Sequence, residues 1–270
     1  MLVLAVWGVS TFLAPQHLGF ISIQAKEVSA AMQQSSIFVS GTGGYHTYRI
    51  PALAVSTKGT ILAFCEGRKN SGADDGDIDL LLRRSLDGGL TWQEVQLIVD
   101  AGENTAGNPA PVVDAITGTI HLVFCINNST VWVAESNDDG VTWTTPREIT
   151  QSVKRPWWTW YATGPCHGIQ LKSGRLLIPC DHTGYAHVIY SDDHGQTWQL
   201  GGDVVGGTNE STAVETVDGA VYINCRNTRE NGRMHRAYAW SYDGGETFQP
   251  TEWDPVLVEP ICQASLVRFS

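Results

Sequence analysis

Basic side chains are scarce in this sequence and are never gathered into a long run. Its 17 lysines and arginines stand against 28 acidic residues, which gives a formal net charge of −11. A protein that binds nucleic acid or an anionic membrane surface needs a positive patch that attracts the polyanion. We therefore expect neither class of partner.

Long apolar segments are also few, and the one at the chain start has the character of a leader. Residues 2–13 are almost wholly apolar, and the first charged side chain is Lys26. The stretch is too short and too often interrupted to span a bilayer, and it lacks a basic start, but small residues at 28–30 suit cleavage. We expect a signal segment at 1–30, a lead-in at 31–46, and a secreted, periplasmic or cell-surface protein without a membrane span. A packed N-terminal strand is the alternative.

No CxxC pair occurs among the six cysteines. Four of them end apolar runs (ILAFC, HLVFC, LLIPC and VYINC) at intervals of 45 to 60 residues: Cys65, Cys125, Cys180 and Cys225. They have the spacing of one structural position that is repeated. We expect buried free thiols that act as small hydrophobic side chains, rather than disulfides or metal ligands.

Charged residues make up only 17% of the chain, whereas hydrophobic residues make up 42%. That balance supports a sizeable core and excludes a disordered chain, a collagen and a coiled coil. The 28 glycines and 10 tryptophans favour many short strands joined by tight turns. The composition predicts an all-β protein.

An eight-residue pattern, S-x-D-x-G-x-T-W, occurs four times. Its copies read SLDGGLTW, SNDDGVTW, SDDHGQTW and SYDGGETF, and they begin at Ser85, Ser136, Ser191 and Ser241. A repeat near 50 residues is typical of solenoids, propellers and arrays. The aspartate can accept backbone N–H bonds while the glycine adopts a positive φ, so we expect each box to close a hairpin and to have no catalytic role.

A second hairpin precedes each box. It is formed by an apolar run, a turn glycine and the run that ends in cysteine; the turn glycines are Gly59, Gly118, Gly174 and Gly219. Two hairpins give four antiparallel strands, which is one propeller blade. The chain is predicted to hold four blades, and residues 262–270 are predicted to open a fifth.

In each hairpin, the start of the first strand and the end of the second strand lie side by side, and most residues at these positions are polar. Because the innermost strands of a propeller line its channel, these residues should converge on one funnel: Arg49, Asn108, Gly164 and Glu210 before the turns, and Arg68, Asn127, Asp181, His182 and Arg226 after them. Clustered guanidinium groups suit a carboxylate ligand, which they bind through paired N–H donors. The alternative is that each arginine pairs with a local acid such as Glu66 or Glu230.

The segment Tyr48–Pro51 (YRIP), followed by Asp boxes, resembles the bacterial exo-α-sialidases, over roughly residues 45–270. These retaining glycoside hydrolases fold as six-bladed propellers. The resemblance implies a partial sialidase propeller at 47–270 that acts on sialylated glycans as a monomer, without metal or cofactor. It implies that Arg49 and Arg226 belong to a triad that binds the sialic acid carboxylate, and that Arg68 lies near the substrate O4.

The resemblance also implies a general acid and base, an aspartate six residues after Arg68. That position is Asp74 in GADDGDID, with Asp75 as the competing assignment. The alternation of Asp75, Asp77 and Asp79 is also found in calcium loops, but the glycine and the distal glutamate of such a loop are missing.

Glu210 matches the glutamate that activates the family's tyrosine nucleophile, with Glu215 as the structural competitor. A tyrosine suits this substrate because the anomeric carbon bears a carboxylate that would repel an acidic nucleophile. A phenol with an ordinary pKa of about 10 then needs a neighbouring base.

Two departures from the family pattern stand out. Asn108 occupies a position where many relatives have an aspartate, and the third triad arginine and the nucleophilic tyrosine have no counterpart in this chain. Gln263, in PICQAS, matches a family residue near the glycan hydroxyls. We expect residues 1–270 to be a fragment without turnover, whose activity about 100 downstream residues would restore, given the size of two blades.

An aromatic loop, RPWWTWYATG at 155–164, leads into the third repeat. Its rings suit the C–H faces of a sugar and an N-acetyl methyl group, but they could equally cover a joint between blades. The wider alternatives to a sialidase are a sialoglycan-binding propeller without turnover and a purely structural Asp-box propeller.

Overall fold

The computed structural model describes residues 34–229 and 232–269. The unit that begins at Ser36 carries all the strands of this part of the chain. The predicted signal segment at 1–30 lies outside the described residues.

The described residues form four antiparallel sheets. The first contains β1 (Thr47–Val55), β2 (Ile61–Arg68), β3 (Ile78–Ser85) and β4 (Gln96–Val99). The second contains β5 (Ala106–Val113), β6 (Ile120–Ile126), β7 (Thr130–Ser136) and β8 (Arg147–Glu148), and the one-turn helix α1 (Thr150–Val153) follows it. The third contains β9 (Tyr161–Thr163), β10 (Ile169–Gln170), β11 (Leu176–His182), β12 (Tyr185–Ser191) and β13 (Gln199–Val204). The fourth contains β14 (Thr208–Glu215), β15 (Val221–Asn227), β16 (His235–Ser241) and β17 (Glu252–Val258).

Strands that follow one another along the chain are also neighbours in each sheet, so each repeat is one blade. The third blade differs because its inner strand is split: β9 and β10 both pair with β11, on either side of the segment 164–168. The inner strands of successive blades contact one another, which is the arrangement of a propeller. The predicted all-β class and the four blades are confirmed.

The predicted strand of a fifth blade is not formed by the described residues 262–269. This segment makes isolated hydrogen bonds instead of a ladder. The side-chain amide of Gln263 donates to the carbonyl of Ser211, and the Leu266 N–H donates to the hydroxyl of Thr212. The expectation of a strand was wrong because an apolar run becomes a strand only where a neighbouring backbone offers a ladder.

The hydrophobic core is divided into layers that lie between consecutive blades. Phe64 and Leu82 of the first blade pack with Leu122 of the second, and Trp198 of the third blade packs in the layer between the second and third. A further layer joins the third and fourth blades. Each blade thus buries its apolar faces against its neighbours.

The Asp boxes form one hydrogen-bond network four times over. In the first box the Ser85 hydroxyl donates to Asp87 Oδ1 and accepts the Gly89 N–H, while Asp87 accepts the N–H and the hydroxyl of Thr91. The hydroxyl and N–H of Thr91 hold the pKa of Asp87 at about 2. Because Ser85 pairs with Ile61, the box lies at the end of the blade opposite Arg68. The predicted structural role is confirmed.

All six cysteines are unpaired, and the four that end apolar runs are buried. Burial raises the pKa of the Cys125 thiol to about 12, so this thiol stays neutral. The prediction of buried thiols that act as small hydrophobic side chains is confirmed.

Candidate active site

A cavity of about 410 Å³ opens where the four blades converge. Its volume lies in the lower part of the range for ligand pockets, roughly 300–1,000 Å³. Five residues predicted for the rim line it, together with Asp74: Arg49, Arg68, Asn108, Glu210 and Arg226. The rest of the lining is Ile50, Glu66, Thr105, Asn128, Trp160, Ala162 and Asn209.

Backbone irregularities at the inner strands direct side chains into this cavity. The pairing of β1 with β2 shifts register between Arg49 and Ala52, and β5 and β14 shift at the same point of their blades. Ile50 and Asn108 have positive φ angles of 53° and 56° there. Such a bulge re-aims the neighbouring side chains and is common beside functional sites.

Asp74 lies between two arginines. Its Oδ1 atom is 2.6 Å from Arg49 Nη1 and 2.7 Å from Arg68 Nη1, although 80% of the Asp74 side chain is exposed. The hydrogen bond from Arg68, with the charge of Arg49, holds the pKa of Asp74 below its usual value. In this state Asp74 is therefore ionised and occupies the guanidinium groups that an anionic ligand would bind.

Glu66 is buried beneath the cavity and joins two blades. Its Oε2 accepts Arg68 Nε at 3.0 Å and Nη2 at 2.7 Å, while its Oε1 accepts the backbone N–H of Asn108, in the second blade, at 2.9 Å. Burial raises the pKa of Glu66, whereas the hydrogen bonds from Asn108 and Arg68 act to lower it. A Cβ atom at Gly107 would lie only 2.9 Å from Oε1, so a larger residue there would displace the Glu66 carboxylate from its hydrogen bonds.

The alternative hypothesis was that each arginine pairs with a local acid. Arg68 does pair with Glu66, but it also lines the cavity. Glu230, the other acid considered, lies outside the described residues.

Glu210 and Arg226 line the opposite wall from the fourth blade. Arg226 Nη1 is 2.9 Å from Glu210 Oε2. Behind them, the side chain of Asn209 donates to Asp181 Oδ2 at 2.8 Å. Asp181 is fully buried, and desolvation together with the nearby charge of Glu210 raises its pKa well above the usual value.

The competing assignments occupy other places. Glu215 pairs with Val221 at the far end of β14, where its carboxylate accepts the N–H of Lys172. The carboxylates of Asp77 and Asp79 contact the Lys69 ammonium at 2.8 and 3.1 Å. Asp75 is not among the lining residues.

Other residues predicted for the rim lie behind or beside the lining. Asn127, Gly164, Asp181 and His182 are not part of it, whereas Asn128 is. Gln263 also lies outside it, because its side-chain amide donates to the carbonyls of Pro165 and Ser211.

Sequence reasoning overlooked Thr105, Asn128 and Asn209 as lining residues. Asn209 precedes Glu210 along the chain and Asn128 follows Asn127. Their position next to predicted rim residues is the feature of the sequence that could have identified them as lining residues.

The aromatic loop contributes rings both to the core layer between the second and third blades and to the cavity lining, and its contact with a sugar stays a prediction. Trp158 and Tyr161 are buried, and Trp158 stacks on His182 with 3.6 Å between ring centroids. Trp160 lines the cavity and is 37% exposed, while Trp157 is 70% exposed. No tyrosine is among the lining residues in the part of the chain that the structure describes.

A larger cavity, of about 590 Å³, lies among the turns at the Asp-box end. Its arginine, Arg175, is already paired with Asp192 at 2.7 Å and with Glu246 at 2.9 Å. These pairs hold neighbouring turns together. The 410 Å³ cavity, with three arginines and several acids from different blades, is the better candidate for chemistry.

Comparison with known proteins shows the family of the chain. Residues 59–266 match the BNR repeat-like domain family. The chain is 32% identical over 260 residues to an exo-alpha-sialidase of Aspergillus fumigatus, covering 84% of this chain and 62% of that protein. It is 35% identical over 268 residues to a sialidase of Micromonospora viridifaciens, covering 87% and 41%, and 33% identical over 287 residues to sialidase-3 of Bos taurus, covering 90% and 67%.

Solved structures show the same fold. The Hadza microbial sialidase Hz136 superposes with a TM-score of 0.77 and 29% identity, over 83% of this chain and 50% of that one. The intramolecular trans-sialidase from Ruminococcus gnavus superposes with a TM-score of 0.75 and 18% identity, over 83% and 74%. The chain therefore spans about half of the Hz136 chain that it matches.

Proposed function

Because this chain belongs to the sialidase family with BNR repeat-like domains, we propose that the protein is an exo-α-sialidase that hydrolyses terminal sialic acids from glycoconjugates with retention of configuration. One observation supports this most: Arg49, Arg68 and Arg226 come from two non-adjacent blades to a single cavity that also holds Asp74 and Glu210. An arginine cluster of this kind suits a carboxylate.

Carboxylate recognition follows from the guanidinium geometry. A guanidinium group can present two parallel N–H donors to one carboxylate, a fork that lysine lacks. Arg49 and Arg226 are the candidates for this contact, because Nε and Nη2 of Arg68 are already bonded to Glu66. In the ligand-free site Asp74 bonds to Arg49, and Glu210 bonds to Arg226. Binding of sialic acid would therefore exchange internal carboxylates for the carboxylate of the ligand.

This exchange would prepare Asp74 to act as the general acid. While Arg68 and Arg49 hold it, the pKa of Asp74 is lowered and the carboxyl cannot carry a proton at neutral pH. A ligand carboxylate on Arg49 would remove one hydrogen bond and add a negative charge nearby, and both changes raise the pKa of Asp74. Protonated Asp74 would then give its proton to the leaving glycosidic oxygen and later take one from water.

Glu210 would accept the proton of a tyrosine nucleophile. The proposal places that tyrosine and a third arginine in further blades of a six-bladed ring, of which the described residues form four. The expectation that residues 1–270 alone do not turn over substrate stays a prediction. We further propose a secreted, periplasmic or cell-surface monomer that acts on sialylated glycans. Among the described residues, no helix is long and apolar enough to cross a membrane.

Calorimetry with sialic acid and with its methyl ester tests recognition. The protein should bind the acid and not the ester. Arg49→Lys and Arg226→Lys should each weaken binding by about 1.5–3 kcal/mol, because the charge stays but the fork is lost. Arg175→Lys, in the other cavity, is the matched control and should bind normally. Equal binding of acid and ester, or a loss confined to the control, would overturn the proposed site.

Turnover by the whole protein tests the role of Asp74. Asp74→Asn should slow release of sialic acid from sialyllactose far more than from an aryl sialoside, whose acidic phenol leaves without protonation. Asp75→Asn should slow neither. Equal losses on both substrates would reject Asp74 as the acid, and tight binding by a whole protein that never turns over would favour a sialoglycan-binding propeller.

A further inference from the structure

Asp74 lies on the loop 69–77, which connects β2 to β3 at the cavity end of the first blade. The loop lies outside both strands, and 80% of the Asp74 side chain is exposed. A general acid has to stay within hydrogen-bond reach of the atom that it protonates, and a misplacement of about 1 Å can cost about 100-fold in rate. The contacts that hold this loop therefore bear on catalysis.

The first blade itself holds the base of the loop and the residue before Asp74. Arg68 Nη1 donates to the carbonyl of Ala73 at 2.6 Å. At the base, the Lys69 N–H donates to the carbonyl of Asp77 at 3.1 Å, and the Lys69 ammonium is 2.8 Å from the Asp77 carboxylate. These contacts close the loop and fix the chain that enters Asp74.

The second blade holds the chain that leaves Asp74. The Thr105 hydroxyl accepts the N–H of Gly76 and donates to the carbonyl of Gly76, both at 3.0 Å. Thr105 lies immediately before β5, and it is only 6% exposed although it lines the cavity. A hydroxyl has a single proton, and here that proton is bonded to the loop. The Thr105 hydroxyl therefore has no proton left to donate to a ligand.

Asn127 holds Thr105 in turn, although it does not line the cavity at whose rim the sequence predicts it. Its Oδ1 accepts the Thr105 N–H at 2.9 Å, and its own N–H donates to the Thr105 carbonyl at 2.9 Å. The backbone of Thr105 is thus bonded at both polar groups, and a β-branched side chain has a stiff χ1. The hydroxyl is therefore fixed in direction before any ligand binds.

We propose that Thr105 is a positioning residue, which holds the loop 69–77 from the second blade and keeps Asp74 within reach of the glycosidic oxygen. The proposal rests on the proposed function and deepens it. A ligand carboxylate that displaces Asp74 from Arg49 would remove one hydrogen bond that restrains the acid. The anchors on either side of Asp74 do not involve Arg49, so they would still restrain the loop during the reaction.

Thr105→Val removes the hydroxyl and keeps the branched side chain. In the whole protein it should lower kcat for sialyllactose by about 10- to 100-fold, because the acid is misplaced. The kcat for an aryl sialoside, whose acidic phenol leaves without protonation, should fall by less than about 3-fold. Binding of free sialic acid, measured by calorimetry, should not change. Thr105→Ser keeps the hydroxyl and should restore kcat.

Thr60 offers a matched control at the opposite end of the first blade. It is also buried, and its hydroxyl also bonds to the second blade, to Asp139 Oδ2 at 2.7 Å. Thr60→Val therefore removes a hydrogen bond between the same two blades, far from Asp74 along the strands. It should leave kcat for both substrates unchanged.

Amide hydrogen exchange of the whole protein tests the loop contact without turnover. The Lys69 N–H is bonded within the loop, so it reports on opening of the loop and not on the deleted hydroxyl itself. It should exchange faster in Thr105→Val than in the unmodified protein, and at the normal rate in Thr60→Val.

The outcomes separate the positioning role from its alternatives. A selective loss on sialyllactose that Thr105→Ser restores, with faster exchange at Lys69, supports the proposal. Equal losses on both substrates, weaker binding of sialic acid, an unchanged kcat, or the same loss in Thr60→Val would each overturn it. A whole protein that turns over neither substrate before any substitution contradicts the proposed function and the positioning role with it, whereas unchanged exchange at Lys69 contradicts the positioning role alone.

Discussion

Two histidines of the third blade are buried in contact with each other. His182 is 4% exposed and His187 is fully buried. Their Nδ1 atoms are 3.2 Å apart, and His187 Nε2 is 3.0 Å from the hydroxyl of Tyr161. One Nδ1 must donate and the other accept, so the contact is lost if both rings are protonated, and burial disfavours even a single positive charge here. Acid should therefore weaken this blade.

The size of the effect follows from the pKa of His182. Burial, with the charge of Arg155, lowers it from 6.5 to about 4. The unfolded chain takes up the proton as the pH falls through 6.5, but the folded chain does so only near pH 4. Stability is therefore complete above pH 6.5 and is lost between pH 6.5 and 4, by about 3 kcal/mol. The pKa of His187 is also lowered by burial, so it acts in the same direction.

His182→Phe isolates the contribution because phenylalanine keeps a flat ring against Trp158 but cannot take up a proton. We expect urea unfolding at several pH values from 7.5 to 4 to give a free energy of unfolding for the unmodified protein and for the variant. The difference between the two values should shrink by about 3 kcal/mol as the pH falls. His46→Phe, at an exposed histidine, is the control and should run parallel to the unmodified protein. Parallel curves for His182→Phe would refute the argument that burial keeps this ring neutral.

Three substitutions test the packing around the site and at the turns by the same unfolding assay. Glu66→Gln should lower the free energy of unfolding by about 3 kcal/mol, because buried Arg68 loses its charged partner; a loss below about 1 kcal/mol would contradict a buried ion pair. Gly59 and Gly195 share a φ of 83°, but an added Cβ atom would meet nothing within 4 Å at Gly59, whereas at Gly195 it would clash with the buried imidazole ring of His121. Gly59→Ala should cost about 1–2 kcal/mol of backbone strain and Gly195→Ala about 1–3 kcal/mol more, so equal costs would contradict the steric argument.

The blades could be predicted from the sequence because their signal is local. Within each Asp box, the serine, aspartate, glycine and threonine satisfy one another over seven residues, as Ser85 and Thr91 do around Asp87. Because these hydrogen bonds form within one turn, every repeat has the same residue types at the same positions of the box. Counting back along a hairpin from its turn then placed Arg49 and Glu210 at one end of their blades.

The details of the site that sequence reasoning missed depend on contacts between blades. Glu66 accepts a hydrogen bond from the backbone of Asn108, 42 residues away, and no local pattern encodes that contact. The inner strand of the third blade is split where Gly164 and Cys166 have φ angles of 66° and 144°. A glycine in a sequence suggests such a break, but a cysteine does not suggest a positive φ. Counting back from the turn assumes an unbroken strand, and it therefore predicted Gly164 at the rim, although Gly164 lies outside the lining.

In the proposed mechanism the same charged groups of the ligand-free site would serve both recognition and catalysis. Three arginines in one cavity would repel one another, yet each one has an acidic partner: Asp74 for Arg49, Glu66 for Arg68 and Glu210 for Arg226. Glu66 is buried and bonded on both oxygens, so it is a permanent partner. Asp74 is exposed, and an incoming carboxylate can displace it at low cost because surface ion pairs contribute little. A ligand carboxylate that displaces Asp74 from Arg49 would leave Asp74 bonded to Arg68 alone, and would so raise the pKa of the residue proposed to protonate the leaving group.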